Sequence, residues 1–146
     1  MESPDTSRKL AAIDRSLIEH RIHAIFERRA AGYLEGMCAY AAPDIVINGG
    51  TWPDPFPKSV QGKDVCKAVM RQVNIFYENL GCQIRQLAID GDRAAVHRVA
   101  TIRNRGTGVV TEIDICDFLK CREGLVVEFS EYPDTLAVAR LEGRTP

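Results

Sequence analysis

The chain has 146 residues, of which 45% are hydrophobic and 27% are charged, and its formal net charge is −1. This is ordinary globular composition, and the length fits a single domain over residues 1–146 with a core of its own. The 19 Lys and Arg residues are interleaved with 20 Asp and Glu residues, which argues against a nucleic-acid-binding surface, and no apolar run approaches a membrane span.

The first part of the chain is predicted to be helical. A helix is expected over Ser7–Ala31, because Ile18, Ile22, Ile25 and Phe26 recur at i, i+4, i+7 and i+8 and so share one helix face. After Gly32, which is typical of a helix end, the sequence predicts a short second helix and a short β-branched strand. Their expected bounds are Leu34–Ala41 and Asp44–Asn48.

A third helix is predicted after an irregular loop. The stretch GGTWPDPFPKSVQG holds three of the seven prolines and three glycines, which favours a loop over regular structure. The helical period then returns over Lys63–Asn79, where Val65, Val69, Val73 and Phe76 are expected to share the buried face. Trp52 lies in the loop, where it would cover the cavity or pack over the end of the sheet.

The remainder of the chain reads as four strands followed by a helix. Gly-containing turns separate runs at 82–89, 93–104, 109–121 and 125–132, and strands joined by tight turns are antiparallel. Asp134 is predicted to cap the last helix, because a carboxylate at that position satisfies free helix amides. We therefore expect an α+β fold in which a curved antiparallel sheet wraps over three N-terminal helices as a cone with an open end.

Strand alternation indicates which polar side chains face the interior of this cone. In the strand at 93–104 the more apolar parity includes Arg98, and in the last strand Glu131 shares a face with Val127 and Phe129. The strand at 109–121 is ambiguous by pattern, because both of its parities carry apolar residues. Whether Asp114 points inward is therefore left open by the residues themselves.

The order of elements, together with AAGYLEGMCAYAAPDIVI, ICDFLKCREGLVVEF and EYPDTLAVARL, resembles the NTF2-like superfamily, and within it the SnoaL-like, ketosteroid-isomerase-like group. The resemblance implies the cone fold and a ligand pocket, and it favours Cys116 and Phe118 inside, with Asp114 at the cavity wall. Members of the superfamily include isomerases, cyclases, dehydratases, epoxide hydrolases and proteins that only bind, so the fold does not choose the reaction.

The active sites known in two such groups are incomplete here. None of the three positions that correspond to the catalytic residues of ketosteroid isomerases carries the required group. For limonene-type epoxide hydrolases, Arg98 matches the arginine and Glu131 matches one acid, but the second acid falls on Ala100. Both of these specific mechanisms are therefore disfavoured.

The sequence thus predicts a small-molecule pocket protein, with an enzyme of the isomerase, cyclase or dehydratase kind as the leading hypothesis. Carboxylates beside an arginine in an apolar cavity are suited to acid–base chemistry on a small apolar substrate. The candidate catalytic residues are Arg98, Asp114 and Glu131. The candidate substrate-binding residues are Asn48, Trp52, Cys116, Phe118 and Phe129. Non-catalytic binding of a hydrophobic ligand is the alternative, and no cofactor or metal is expected.

Location and assembly are also predicted. The five cysteines are scattered and form no Cys-x-x-Cys pair, and the N-terminal segment has no signal-peptide pattern, so we expect a cytoplasmic protein. The outer face of the sheet is expected to present a half-apolar surface, which favours a homodimer. The residues assigned to that face are Ala95, Val99, Thr101, Ile113, Ile115 and Leu119.

Overall fold

A computed structural model describes residues 3–49 and 52–144, without the side chains of residues 10–13. The elements are α1 (Pro4–Ala30), α2 (Leu34–Cys38), β1 (Ala41–Asn48), β2 (Ser59–Gln61), α3 (Lys63–Phe76), β3 (Tyr77–Asp90), β4 (Arg93–Asn104), β5 (Val110–Arg122), β6 (Leu125–Pro133) and α4 (Thr135–Leu141). Every predicted helix and strand is present. Among the described residues, no helix is long and apolar enough to cross a membrane.

The strands form one six-stranded sheet in the order β2-β1-β6-β5-β4-β3. The four predicted hairpin strands, β3 to β6, pair antiparallel, whereas β1 runs parallel to β6. Strand β2 was not predicted, because three residues inside a proline-rich loop are too few to show an alternating pattern. It pairs with the end of β1, so the loop between the two is anchored at both ends.

Irregularities in β3 bend the sheet into the predicted cone. The pairing of β3 with β4 shifts register between Asn79 and Gly81 and again between Ile84 and Gln86. Each such irregularity increases the local twist and bends the strand. The concave face that results is covered by α1 and α3, and this confirms the expected arrangement of helices on one side of a curved sheet.

Helix α1 supplies one wall of the core with the predicted face. Ile18, Ile22, Ile25 and Phe26 are all buried against the sheet. The predicted face of α3 was only partly right, because Val65 and Phe76 are about half exposed and Cys66 is buried instead. A thiol behaves as a small apolar group, so the buried stripe of α3 begins one residue later than the valine pattern indicated.

Helix α4 packs against β5 and β4. Ala137, Val138 and Leu141 are buried against β5 and β4. The Asp134 carboxylate accepts hydrogen bonds from the backbone N–H groups of Leu136 at 3.0 Å and Ala137 at 3.3 Å, which confirms the predicted N-cap. A seven-residue helix has few internal hydrogen bonds, so its stability depends on this cap and on packing.

The cap gives a direct test of the local energetics. We expect Asp134→Ala to lower the free energy of unfolding by about 1 kcal/mol, because two backbone donors lose their acceptor. Asp134→Asn is the matched control and should stay close to the wild type, since asparagine is an equally good N-cap residue. Urea denaturation followed by circular dichroism measures both. Equal losses in the two variants would contradict a capping role.

Candidate functional site

Two carboxylates and an arginine meet on the concave face because of the strand register. Asp117 on β5 lies directly opposite Glu131 on β6. Asp117 also lies opposite Val96 on β4, so Arg98, two residues further along β4, reaches both acids diagonally. Like charges placed directly opposite each other destabilise a sheet, and Arg98 supplies the positive charge that makes this pairing tolerable.

The geometry around Arg98 is that of a buried ion-pair cluster. Its Nε donates to Asp117 Oδ2 at 2.6 Å, and its Nη2 donates to Glu131 Oε1 at 2.5 Å. Arg98 is 1% exposed and Asp117 is fully buried. The guanidinium carbon also lies 4.4 Å from the ring centroid of Phe26, a cation–π distance. The guanidinium of Arg98 is therefore held by Asp117, Glu131 and Phe26.

Glu131 forms the outer edge of this cluster. Its Oε1 also accepts a hydrogen bond from Nη1 of Arg29, in the last turn of α1, at 2.8 Å. Its Oε2 accepts a hydrogen bond from the indole Nε1–H of Trp52. Three sequence-distant segments, α1, the proline-rich loop and β4, therefore converge on one carboxylate, and Arg29 and Trp52 connect that carboxylate to the cavities.

Two cavities adjoin at this point. The first, of about 80 Å³, lies between α1, α2, α3 and the sheet, and the second, of about 70 Å³, lies under the proline-rich loop. They share the lining residues Arg29, Ile47, Met70 and Glu131. Each is well below the roughly 300 Å³ typical of drug-sized ligands, so the site suits a small molecule.

The surroundings shift the pKa values of the two acids in opposite directions. Burial raises the pKa of Asp117 to about 6, opposed by the charge of Arg98 and aided by that of Glu131. Burial also acts to raise the pKa of Glu131, but the charges of Arg29 and Arg98 outweigh it and leave the pKa lowered. Glu131 is therefore ionised at neutral pH, whereas Asp117 changes protonation in the mildly acidic range. The two acids also hold the pKa of Arg98 above its usual value despite burial.

The expected inward position of Asp114 was wrong. Asp114 lies on the outer face, where its Oδ1 is 2.7 Å from His97 Nε2 and its side chain is 65% exposed. Cys116 and Phe118 share that face, so they do not line the cavity either. The opposite parity, with Ile113 and Ile115, is buried instead. The physical reason is that β-branched residues at alternate positions fill the core better than acids do.

The remaining predicted residues divide between the two sides of the sheet. Asn48 was expected to bind substrate, but its Nδ2 donates to Ser130 Oγ at 3.2 Å and its Oδ1 accepts from Ser59 Oγ at 2.9 Å, away from both cavities. Trp52 lines the second cavity and Phe129 lines the first. The structure thus brings Arg98, Glu131, Trp52 and Phe129 to one region.

Two residues of the site were missed by the sequence analysis. Asp117 lies in the parity of Ile113, Ile115 and Leu119, so a single acid within an otherwise apolar parity was the available signal. Arg29 follows Ile25 at i+4, and it therefore continues the buried stripe of α1 toward the open end of the cone. In both cases a charged residue in a core register marked the site.

The outer face of the sheet also differs from expectation. Ile113, Ile115 and Leu119 were assigned to that face but are buried in the core. Exposed apolar groups of that face include Val110, which is 47% exposed, and the pair Phe118 and Tyr132, whose ring centroids are 6.1 Å apart and which are 53% and 50% exposed. The apolar part of the outer face is therefore smaller and more aromatic than predicted.

The family assignment follows from comparison with known proteins. Residues 22–129 match the family model described as the SnoaL-like domain, and the chain belongs to that family. The predicted NTF2-like, SnoaL-like resemblance is therefore confirmed. Comparison with curated protein sequences gives no significant match.

Solved structures share the fold. An NTF2-like protein from Burkholderia xenovorans is 25% identical, with a TM-score of 0.69 over 86% of this chain and 95% of that one. A proposed isomerase from Bacillus subtilis is 12% identical, with a TM-score of 0.82 over 90% and 96%. An LEH-like epoxide hydrolase from M. tuberculosis is 12% identical, with a TM-score of 0.70 over 88% and 91%. At these identities the last two show the fold alone.

The raised pKa of Asp117 predicts a specific pH dependence of stability. The pKa is about 6 in the folded chain and about 3.9 when unfolded, so the folded state holds this proton more tightly. The stabilising contribution of this proton to the free energy of unfolding is therefore complete below about pH 4, and it is lost as the pH rises through about 6. Relative to Asp117→Asn, which cannot titrate, the wild type should lose on the order of 3 kcal/mol across that window.

Urea denaturation of both proteins at a series of pH values measures this difference. Asp114→Asn is the matched control for the chemical change, and at pH 7 it should alter stability by less than about 1 kcal/mol because its ion pair is exposed. A wild-type advantage over Asp117→Asn that grows between pH 4 and pH 6 would contradict the expected sign.

Proposed function

We propose that this chain is an enzyme that moves a proton on a small carbonyl compound, with Glu131 as the base. The observation that supports this most strongly is the position of Glu131, a buried carboxylate in the wall shared by both cavities. Buried ion pairs are costly to desolvate and add little net stability. A cluster of this kind beside a cavity is therefore better suited to chemistry than to holding the fold together.

The hydrogen bonds of Glu131 indicate which atom would accept the proton. A carboxylate oxygen has two lone-pair sites, and Oε1 uses both of them for Arg29 and Arg98. Oε2 has one recorded donor among the described residues, Trp52, which leaves one site for a substrate. The C–H proton would pass to Oε2, and the electron pair would move to the carbonyl oxygen.

Arg29 is placed to stabilise that oxygen. Its side chain is 16% exposed and lines both cavities, so its guanidinium can face the negative charge that develops on an enolate. Return of the proton to another carbon would give an isomerase. Return of the proton to a β-hydroxyl, which then leaves as water while the C–O bond breaks and the C=C bond forms, would give a dehydratase. Because the pKa of Glu131 is lowered, the base would be ionised throughout the neutral range.

A second candidate function is binding without chemistry. Three of the four lone-pair sites of Glu131 are already engaged, and both cavities are lined mainly by apolar side chains. Those features also suit a carboxylate that only orients a ligand. The two functions differ in one measurable property, which is whether the protein exchanges a carbon-bound proton.

Deuterium incorporation into cyclohexanone and 2-butanone in D₂O, followed by NMR, tests the enzyme proposal. We expect the wild type to raise the exchange rate above buffer, and Glu131→Gln to lower that increment by about two to four powers of ten. Asp114→Asn should retain the increment, since Asp114 lies on the outer face. Glu131→Gln should also lose about 3 to 5 kcal/mol of stability, so both variants are assayed below their unfolding transitions.

Two results would contradict the proposal in different ways. Exchange that survives in Glu131→Gln would mean that another group is the base. Exchange no faster than buffer, combined with saturable binding of the same ketones, would favour the non-catalytic function.

We also propose that the chain forms a homodimer through the outer face of the sheet. Phe118 and Tyr132 form an exposed aromatic pair on that face, and exposed apolar clusters on a sheet favour an interface. Light scattering at micromolar concentration should give the mass of a dimer, and Phe118→Asp should give that of a monomer. Ile75→Asp is the control, because Ile75 is an exposed apolar residue that lies on α3 and not on the outer face of the sheet. It should leave the dimer intact. A monomeric wild type would contradict the proposal.

A further inference from the structure

The first cavity combines an apolar wall with an excess of positive charge. Its charged lining residues are Arg29, Lys63 and Glu131, which are two cations and one anion. The rest of the wall is formed by aliphatic, aromatic and sulfur-containing side chains, such as Ile25, Met70 and Phe129. A neutral apolar ligand would carry no charge to interact with this excess positive charge.

Glu131 cannot neutralise Lys63, because its charge is already shared. Its Oε1 lies 2.5 Å from Arg98 and 2.8 Å from Arg29. With Asp117 included, the buried cluster holds two cations and two anions and is balanced without Lys63. Protonation of Asp117, whose pKa is raised to about 6 by burial, would make the cluster positive in mildly acidic solution.

Glu35, the acid on α2 whose pKa the charge of Lys63 affects, is also paired with other cations. Glu35 on α2 lies 2.9 Å from Lys67 and 3.5 Å from Arg71. The hydrogen bond from Lys67 is the main cause that lowers the pKa of Glu35, and the charge of Lys63 contributes least. Within the part of the chain that the structure describes, Lys63 has no ion-pair partner closer than 4.0 Å.

The size of the cavity limits the ligand. A volume of about 80 Å³ is roughly five to eight times the space that one water requires in such a cavity. A molecule with a carboxylate and a hydrocarbon part of a few carbons fits both this volume and the division of the wall into charged and apolar parts.

We infer that the first cavity binds a small carboxylate-bearing molecule, with its anionic group at Lys63 and its short carbon chain against the apolar wall. This inference rests on the proposed function and names the ligand class of the same site. The substrate would then be a small oxo acid, in which Lys63 holds the carboxylate and Arg29 stabilises the carbonyl oxygen through N–H groups other than the Nη1 donor that it gives to Glu131. Lys63 would be a specificity-determining residue rather than a catalytic one.

Titration of the ¹⁵N-labelled full chain with butyrate and with butyramide, followed by NMR, tests this inference. The two probes have the same shape and differ in charge. We expect butyrate to bind about tenfold more tightly or better, as is typical of a hydrogen bond to a charged group. Shifted amide signals should come from residues that line the first cavity.

Variants of two lysines on one helix sharpen the test. Lys63→Met keeps an unbranched apolar stem and removes the charge, so it should lower butyrate affinity to that of butyramide and leave butyramide affinity unchanged. Lys67→Met is the matched control one helical turn further on, because Lys67 pairs with Glu35 and does not line the cavity. It should alter butyrate affinity less than about twofold.

The outcomes separate this inference from the proposed function. Equal affinity for the two probes, equal effects of the two lysine variants, or no binding of butyrate would each overturn the inference. In any of these cases, ketone exchange that still depends on Glu131 would leave the proposed function standing. Butyrate binding that depends on Lys63, without ketone exchange, would support the ligand class while the enzyme proposal failed.

Discussion

The ion pairs of Arg98 are the constraint on which the site depends. Asp117 and Glu131 face each other on neighbouring strands of the concave face, where water does not screen their repulsion. Arg98 contacts both, and without it the register of β5 against β6 would place Asp117 in the core with no ion-pair partner and leave Glu131 with Arg29 alone. Because Arg98 holds Glu131 in place, Arg29 and Trp52 can in turn approach it from α1 and from the proline-rich loop.

Arg29 and Trp52 make the two buried acids chemically different although each of them contacts Arg98. Asp117 is fully buried, and for its pKa the cost of desolvation exceeds the attraction of Arg98. Glu131 gains a second cation, Arg29, and a hydrogen bond from Trp52, and for its pKa these outweigh the cost of burial. The pair therefore consists of one carboxylate that stays ionised and one that takes up a proton as the pH falls.

Most of the fold could be predicted from the sequence, because hydrophobic periodicity and turn residues specify elements directly. The inward orientation of Arg98 and Glu131 followed from strand parity in the same way. The parity of β5 did not follow, because Cys116 and Phe118 are themselves apolar and made the outer face look like a core face. Arg29 was also missed, since its role depends on where α1 ends relative to β6, which is a tertiary relation.

The convergence of distant segments on Glu131 also has a consequence for how the chain folds. Its hydrogen-bond partners Arg29, Trp52 and Arg98 are separated from it by 102, 79 and 33 residues. The hairpins of β3, β4 and β5 close short loops and can form first, whereas these contacts require long loops to close. During synthesis the arginines emerge well before their shared carboxylate, so the cavity wall is completed only when the last strand is added.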